Sequence, residues 1–402
     1  MADSNGSLVA VAQKVAFGDV VSDIKESERD PLANGLERYV ALDHIEPLNL
    51  ALSEWGSLIE DEVSFTKRFS VGQVLFAKRR AYQRKVAVAP FDGICSSDIL
   101  TFEPSDSRLR ADLLPFIVQS DAFFDHALDT SSGSLSPRTR WSQLKDFAFP
   151  LPSMDAQEEF VKVFLAVDEA TRFFTQSVAE LRLLQHVAFR TAFESHSDEG
   201  NVSVLSDAID DIVAGKSPVG SSEPAGEGDV GVLKVSAVGK YGFVESENKA
   251  LLNQDEFAAE VEVESGFLLV TRANAHVSGV GRACLVGEVR PGLMLSDKTL
   301  RLIHNPEVVL PRFLLQAIRA RICRRHIEAT ASGTEAKNIS QARLKKSPIW
   351  LPSIKVQQRI VDFLCSADNS IKKIELHLLR LREIKRQVSA TLMRGETLGG
   401  GA

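Results

Sequence analysis

The chain has 402 residues, 44% of them hydrophobic and 25% charged, with a mean hydropathy of -0.04 and a formal net charge of -7. That balance excludes a disordered or membrane-embedded chain, and the length supplies material for two or three cores. The acidic total weighs against nucleic acid as a partner, since a duplex binder neutralises phosphates with Lys and Arg.

No run approaches 18 apolar residues, so no membrane span is expected. The opening MADSNGSLVAVAQ lacks the basic start and long apolar core of a secretory signal. Cys95, Cys284, Cys323 and Cys365 are scattered with no CxxC pairing, which argues against a zinc site or a disulfide framework. A cytoplasmic location is the resulting expectation.

From the N-terminus, Tyr39–Leu42, Val71–Ala77, Val86–Val88 and Ile99–Phe102 read as strands between Gly, Pro, Asp and Asn clusters. Leu113–Leu128 reads as a helix. Residues 130–140 form a polar loop, followed by Leu-Pro-Ser-Met-Asp-Ala-Gln from Leu151. Met154 to about Ser195 contains neither Gly nor Pro, and Phe160, Phe164, Val167, Thr171, Phe174, Val178 and Leu181 step by alternating 4 and 3. That spacing is a coiled-coil seam on one helix of about 40 residues, or about 60 Å.

After a polar hinge at residues 196–202, Val230–Val238, Gly266–Thr271, Arg282–Val286 and Thr299–Ile303 read as strands and Pro311–Ile327 as a basic amphipathic helix. A polar loop at 330–340 then leads into Leu-Pro-Ser-Ile-Lys-Val-Gln from Leu351. The chain repeats itself at an offset of 200. From Leu151 to Phe193 nine of 43 positions are identical, and Ile360, Leu364, Ala367, Ile371, Ile374, Leu378 and Leu381 keep the seam. Two halves of mixed α/β character, each followed by a long helix, predict antiparallel pairing of the helices about a pseudo-two-fold axis. Two globules held at a fixed distance would form a caliper.

Enzymatic motifs are weak. Ala214-Gly-Lys-Ser217 lacks the earlier glycine of a phosphate loop, where Asp210 stands, and Gly279-Val-Gly281 lacks the third glycine of a dinucleotide site. Asp297 with Glu335-Ala-Lys337 is a nuclease-like set only if folding unites it. No Asn-Pro-Pro-aromatic or Asp-Pro-Pro-aromatic methylating tetrapeptide, Gly-x-Ser-x-Gly turn or paired zinc histidines occur. The chain reads as a binder with no metal or cofactor of its own.

Charge is patchy. Between Lys67 and Pro90 stand seven cations and no acid, and Arg312–Lys346 carries nine cations against Glu328 and Glu335. In Lys78-Arg-Arg-Ala-Tyr-Gln-Arg-Lys85, Lys78, Arg79, Arg80, Arg84 and Lys85 suit phosphates or guanine edges, Gln83 adenine, and Tyr82 sugar or backbone. A solvated basic face is the alternative. Arg272, Asn274 and His276 follow a strand at the comparable place in the second half. Ser132-Gly133-Ser134 and Ser332-Gly333-Thr334 recur with Arg138, Arg140, Lys337 and Asn338 downstream, as phosphate-binding loops or as plain structural loops.

These residues resemble the DNA-specificity subunit of type I restriction-modification systems over nearly the whole chain. The carriers are residues 17–21 (Phe-Gly-Asp-Val-Val), 37–43, 69–82, 93–98 (Gly-Ile-Cys-Ser-Ser-Asp), 133–138, Gly215-Lys-Ser-Pro218 and both Leu-Pro-Ser…Gln helices. The resemblance implies an α+β chain with target-recognition domains at 1–152 and 198–352 and spacer helices at 153–197 and 353–396. Each domain would read half of a bipartite double-stranded DNA site. The helices would dock two methyltransferase subunits carrying S-adenosylmethionine, and restriction subunits would use ATP. The DNA-reading role then falls on the 78–85 segment, on Arg272, Asn274 and His276, and on the two Ser-Gly loops. A self-contained DNA-modifying or DNA-cleaving enzyme, or a coiled-coil scaffold, remain the other readings.

Overall fold

The computed structural model describes residues 13–131, 137–196, 202–334 and 336–398. The chain divides into two compact units, Met1–Gln176 with Ile374–Ala402, and Ser177–Lys373. Each unit holds one mixed α/β globule and part of both long helices.

In the first unit a four-stranded antiparallel sheet runs in the order Val21–Asp23, Ile99–Pro104, Val74–Ala77, Val86–Val88. Every residue of Val74–Ala77 is buried, as expected of a central strand with both faces covered. Its Phe76 packs on Phe102, Phe123 and Phe124, and Phe17 packs on Phe102 and Phe123, which gives the core its aromatic centre. A smaller sheet orders Gly56–Ser57, Arg38–Val40, Gly93–Cys95 and Lys67–Phe69, with Arg38–Val40 and Gly93–Cys95 parallel. Gln13–Ala16 pairs with Ala148–Leu151, so one strand of this pair leads directly to Pro152 and the first long helix.

The second unit repeats the plan. Its antiparallel sheet orders Ile209–Ala214, Thr299–His304, Leu268–Thr271 and Ala283–Leu285, and Asn248–Ala250, Gly231–Leu233 and Leu293–Met294 make the smaller sheet. Val202–Val204 pairs with Pro348–Trp350 ahead of the second long helix.

The expected strands are present with shifted ends, Val230–Val238 reduced to Gly231–Leu233 and Ile99–Phe102 extended to Pro104, but both expected short helices are broken in two. Leu114–Val118 and Asp121–Asp129 are separated at Ser120, whose extended backbone and side-chain oxygen, accepting from Phe123 N, cap the second piece. Pro311–Arg319 and Arg321–Thr330 are separated at Ala320, where ψ of 148° ends the first piece. Apolar periodicity continues across both breaks, so it could not locate them.

The long helices are Met154–His196 and Ile354–Arg394, of 43 and 41 residues. Every seam position named above is buried or half-buried. In the first unit Asp168 Oδ1 accepts from Lys385 Nζ at 2.7 Å and Phe174 stacks on His377, so the helices run antiparallel. In the second unit Asp368, the repeat mate of Asp168, accepts from Gln185 Nε2 at 2.7 Å and pairs with Arg312. Val388 and Leu392 of the second helix enter the first unit's core, where Phe164 stacks on Phe116 at 4.4 Å.

The repeated Leu-Pro-Ser-x-x-x-Gln has a specific task. The fully buried Gln157 donates from Nε2 to Pro152 O at 2.9 Å and Arg108 O at 2.7 Å, while its Oε1 accepts from Arg110 N at 2.9 Å. Gln357 donates to Pro352 O at 2.8 Å and Val308 O at 2.9 Å and accepts from Leu310 N at 2.9 Å. One amide side chain thus ties the start of each helix to its globule.

Candidate nucleic-acid interface

Two connections at matching places in the sheets carry the candidate residues. In the first unit Lys78–Lys85 joins Val74–Ala77 to Val86–Val88, and in the second Arg272–Arg282 joins Leu268–Thr271 to Ala283–Leu285. The buried strand before each connection fixes where it emerges.

The first connection is a tight 3-10 turn, Ala81–Gln83, bracketed by Arg80 at φ 56° and Arg84 at φ 54°. A left-handed conformation costs a non-glycine residue about 1–2 kcal/mol, so it persists only where the surroundings hold it. Ala77 N donates to Lys85 O at 3.1 Å, Arg80 N to Pro137 O at 2.9 Å, and Thr139 N to Lys78 O at 3.0 Å. Arg84 pairs with Asp121 and lies 5.0 Å from the centre of the Phe124 ring, and Lys85 Nζ donates to Leu42 O at 2.7 Å. Arg84 and Lys85 therefore fasten the turn to the globule, and Arg80 and Tyr82 remain exposed, with Lys78 and Gln83 half-buried.

The basic run is less positive in three dimensions than along the chain. Lys67 meets Asp23 at 3.3 Å, Arg68 meets Glu26 at 3.9 Å, and Arg79 and Arg138 both meet Asp98. Burial pushes the Lys67 pKa down in spite of Asp23 beside it. Among the described residues Lys78, Arg80 and Arg140 have no carboxylate within salt-bridge range.

Two sets of candidates that lie apart in sequence are adjacent in space within each unit. Arg79 forms a β-bridge with Arg138, uniting the 78–85 turn with the segment after the Ser-Gly loop. In the second unit Ala273 pairs with Asn338 and Asn274 with Lys337. Asn274 Oδ1 accepts from His276 N at 3.1 Å, and its amide lies over Gly279, where a Cβ would come 2.3 Å from Asn274 Cγ. Ser332 and Asn338 exchange backbone bonds of 2.9 and 2.8 Å, Lys337 Nζ donates to Gly333 O at 2.8 Å, and Thr334 is exposed. Arg272 Nε and Asn338 Oδ1 are buried with no hydrogen-bond partner, a costly arrangement. Ser132, Gly133 and Ser134 lie outside the described residues.

Asp98 and Lys298 were missed by sequence reasoning. Both lie at the mouth of the strand beside the site, and Asp98 ends the Gly93–Asp98 element that supported the family resemblance. The other weak motifs gain no support. Gly215 is needed because the Leu295 backbone passes where a Cβ would sit, 2.1 Å from its oxygen, and Lys216 pairs with Glu260. Glu335 lies outside the described residues, and among those described no cluster of metal-ligating side chains occurs. No helix among them is long and apolar enough to cross a membrane.

Residues 208–384 match the family model described as type I restriction modification DNA specificity domain. The second half of the chain is thus similar to the type I specificity domain. The chain is also 33% identical over 187 residues to the type I restriction enzyme EcoEI specificity subunit of Escherichia coli, covering 43% of this chain and 31% of that protein. It is 28% identical over 180 residues to the EcoDI specificity subunit of the same organism, covering 44% of this chain and 40% of that one. The aligned segments thus span under half the length of either curated relative.

The fold likeness covers the whole chain. A structure of a type I restriction-modification system matches 96% of this chain and 98% of its own with a TM-score of 0.57 at 17% identity. The type I S subunit from M. genitalium matches 98% of each chain with a TM-score of 0.57 at 14% identity. The architecture of two α/β domains and two long antiparallel helices is therefore that of type I specificity subunits, in the first half of the chain as well as in the matched second half.

Proposed function

We propose that this chain is the sequence-reading subunit of a type I restriction-modification complex and is itself non-catalytic. Two recognition domains, 1–152 and 198–352, read the halves of a bipartite double-stranded DNA site, and the helices 153–197 and 353–396 space them. Two methyltransferase subunits, which would carry S-adenosylmethionine, and ATP-driven restriction subunits are the expected partners, in the cytoplasm. The chain would need no cofactor of its own.

The observation that carries this reading is the matched pair of surface sites. The two units share the strand order of the larger sheet and the hydrogen bonds around the connection, yet this framework presents Arg79, Arg80 and Arg138 in one and Asn274, Lys337 and Asn338 in the other. One scaffold with unlike polar side chains is what reading two different half-sites requires, because base edges differ in their donor and acceptor patterns. A shared catalytic centre would instead call for like residues at like positions.

The test is binding of the full chain, assembled with methyltransferase subunits, to a pool of duplexes carrying two randomised segments. Selection of two short defined sequences separated by a fixed gap is expected. Enrichment of no sequence would overturn the proposal, and methylation or cleavage by the chain alone would favour a self-contained enzyme.

A further inference from the structure

In the first unit the side chain of Asp98, only 15% exposed, holds two arginines at once. Arg138 approaches as a fork, Nε to Oδ1 at 3.3 Å and Nη2 to Oδ2 at 3.4 Å, and Arg79 Nη1 lies 3.6 Å from Oδ2. The backbone delivers all three residues to one place. Lys78 N donates to Asp98 O at 3.0 Å, and Thr139 N donates to Lys78 O at 3.0 Å.

The same two bonds recur in the second unit. Arg272 N donates to Lys298 O at 2.8 Å and Ile339 N to Arg272 O at 3.0 Å. The bridge Arg79–Arg138 corresponds to the pair Ala273–Asn338. Lys78 thus corresponds to Arg272, Arg79 to Ala273, Asp98 to Lys298 and Arg138 to Asn338. The acid that gathers two guanidiniums in one unit is replaced by an exposed lysine where there is no arginine pair to gather.

A carboxylate at a phosphate-facing surface reduces attraction for any duplex, so attraction is not a reason for its presence. What it supplies is orientation. Arginine side chains have many rotamers, and a bidentate contact to a base edge needs the guanidinium plane fixed. We propose that Asp98 is a positioning residue that sets the planes and spacing of Arg79 and Arg138 for base reading in the first domain. Lys298 puts a cation at the equivalent place in the second. This inference rests on the DNA-reading role proposed above.

The experiment uses the full chain with its methyltransferase subunits, the randomised duplex pool, and titration of an unrelated duplex at several salt concentrations. For Asp98→Asn, base preference at one half-site should fall roughly tenfold. Affinity for the unrelated duplex should rise, and its salt dependence should steepen by about 0.9 in log–log slope. Preference at the other half-site should stay as it was. Asp98→Glu keeps the charge but moves the fork, so the salt slope should stay and the preference should weaken; this variant also answers for any folding defect of the asparagine form. If Asp98→Asn leaves both preferences unchanged while Arg79→Ala and Arg138→Ala reduce one, the positioning role is overturned and DNA reading stands. If the arginine variants also change nothing, the turn is not the interface and both proposals fall.

Discussion

Replacing Gln157 by Leu isolates the clamp between the first long helix and its globule. The change removes an amide that makes three hydrogen bonds from a fully buried position and leaves Pro152 O, Arg108 O and Arg110 N without that partner. An orphaned buried donor or acceptor costs about 1–3 kcal/mol, and a leucine at the site returns about 1–2 kcal/mol of apolar burial. The net loss should be about 3 kcal/mol. In a unit of this size that lowers the melting temperature by roughly 6–12 °C, readable by scanning calorimetry of the full chain.

Gln157→Glu sharpens the test because a carboxylate oxygen would face two carbonyl oxygens. Its folded pKa should lie above the unfolded value of about 4.3. Stability from that group is then fully present below the unfolded pKa and is lost as pH rises through the folded one. The Glu variant should therefore recover stability on acidification relative to the Leu variant. Gln357 makes the same bonds in the second unit, so Gln357→Leu should cost a similar amount. A Leu variant melting within about 2 °C of the parent, under 1 kcal/mol, would refute the clamp.

Burial pushes the thiols of Cys95, Cys284 and Cys323 up to about 12 from an ordinary 9.0. Only half-buried Cys365 should react with a thiol reagent at pH 8 under native conditions, and all four in denaturant. Because the three folded pKa values are raised, the stability they contribute is present below pH 9 and declines as pH rises from 9 toward 12, which alkaline unfolding should show and Cys→Ala variants at those sites should lessen. Inserting one heptad into each long helix keeps the seam in phase and adds about 10 Å. The preferred gap between half-sites should grow by about three base pairs, with the bases chosen unchanged; an altered base preference with an unchanged gap would contradict the spacer role.

The helices and their pairing were legible in the sequence because the 3-4 spacing from Phe160 to Leu181 recurs from Ile360 to Leu381, inside two long stretches free of Gly and Pro, and leaves few alternatives. The repeat was seen only in part. The 200-residue offset holds much earlier than the polar loops, since Ile99–Pro104 corresponds to Thr299–His304 and His126 to His326. His126 Nε2 meets Gln143 O and His326 Nε2 meets Arg343 O at 2.9 and 3.2 Å, and Thr130 and Thr330 hydroxyls both donate to those histidines' carbonyls at 2.7 Å. Strands tolerate exchange among apolar residues, so identity fades there while hydrogen-bond registers persist. The candidate site could be read from the sequence as residue types, but the way the fold assembles them could not. Counting charge along the chain cannot reveal that Asp23, Glu26, Asp98 and Asp121 return to the basic segment from distant positions.

The register also shows where the two halves part company. From Gly93 onward the second half follows the first at one offset, through strand, short helices, clamp and long helix. Upstream the offset drifts, because Val74–Ala77 corresponds to Leu268–Thr271 at 194 and Val86–Val88 to Ala283–Leu285 at 197. The change between those values is three residues, and it falls inside the connections that carry Arg79 and Arg80 on one side and Asn274 and His276 on the other. A length change in a surface connection costs little, whereas one inside a paired strand would turn its apolar face outward. The fold thus lets length and polar chemistry vary in surface connections, the one proposed to meet DNA among them, and keeps constant the elements that hold the globule to the helices.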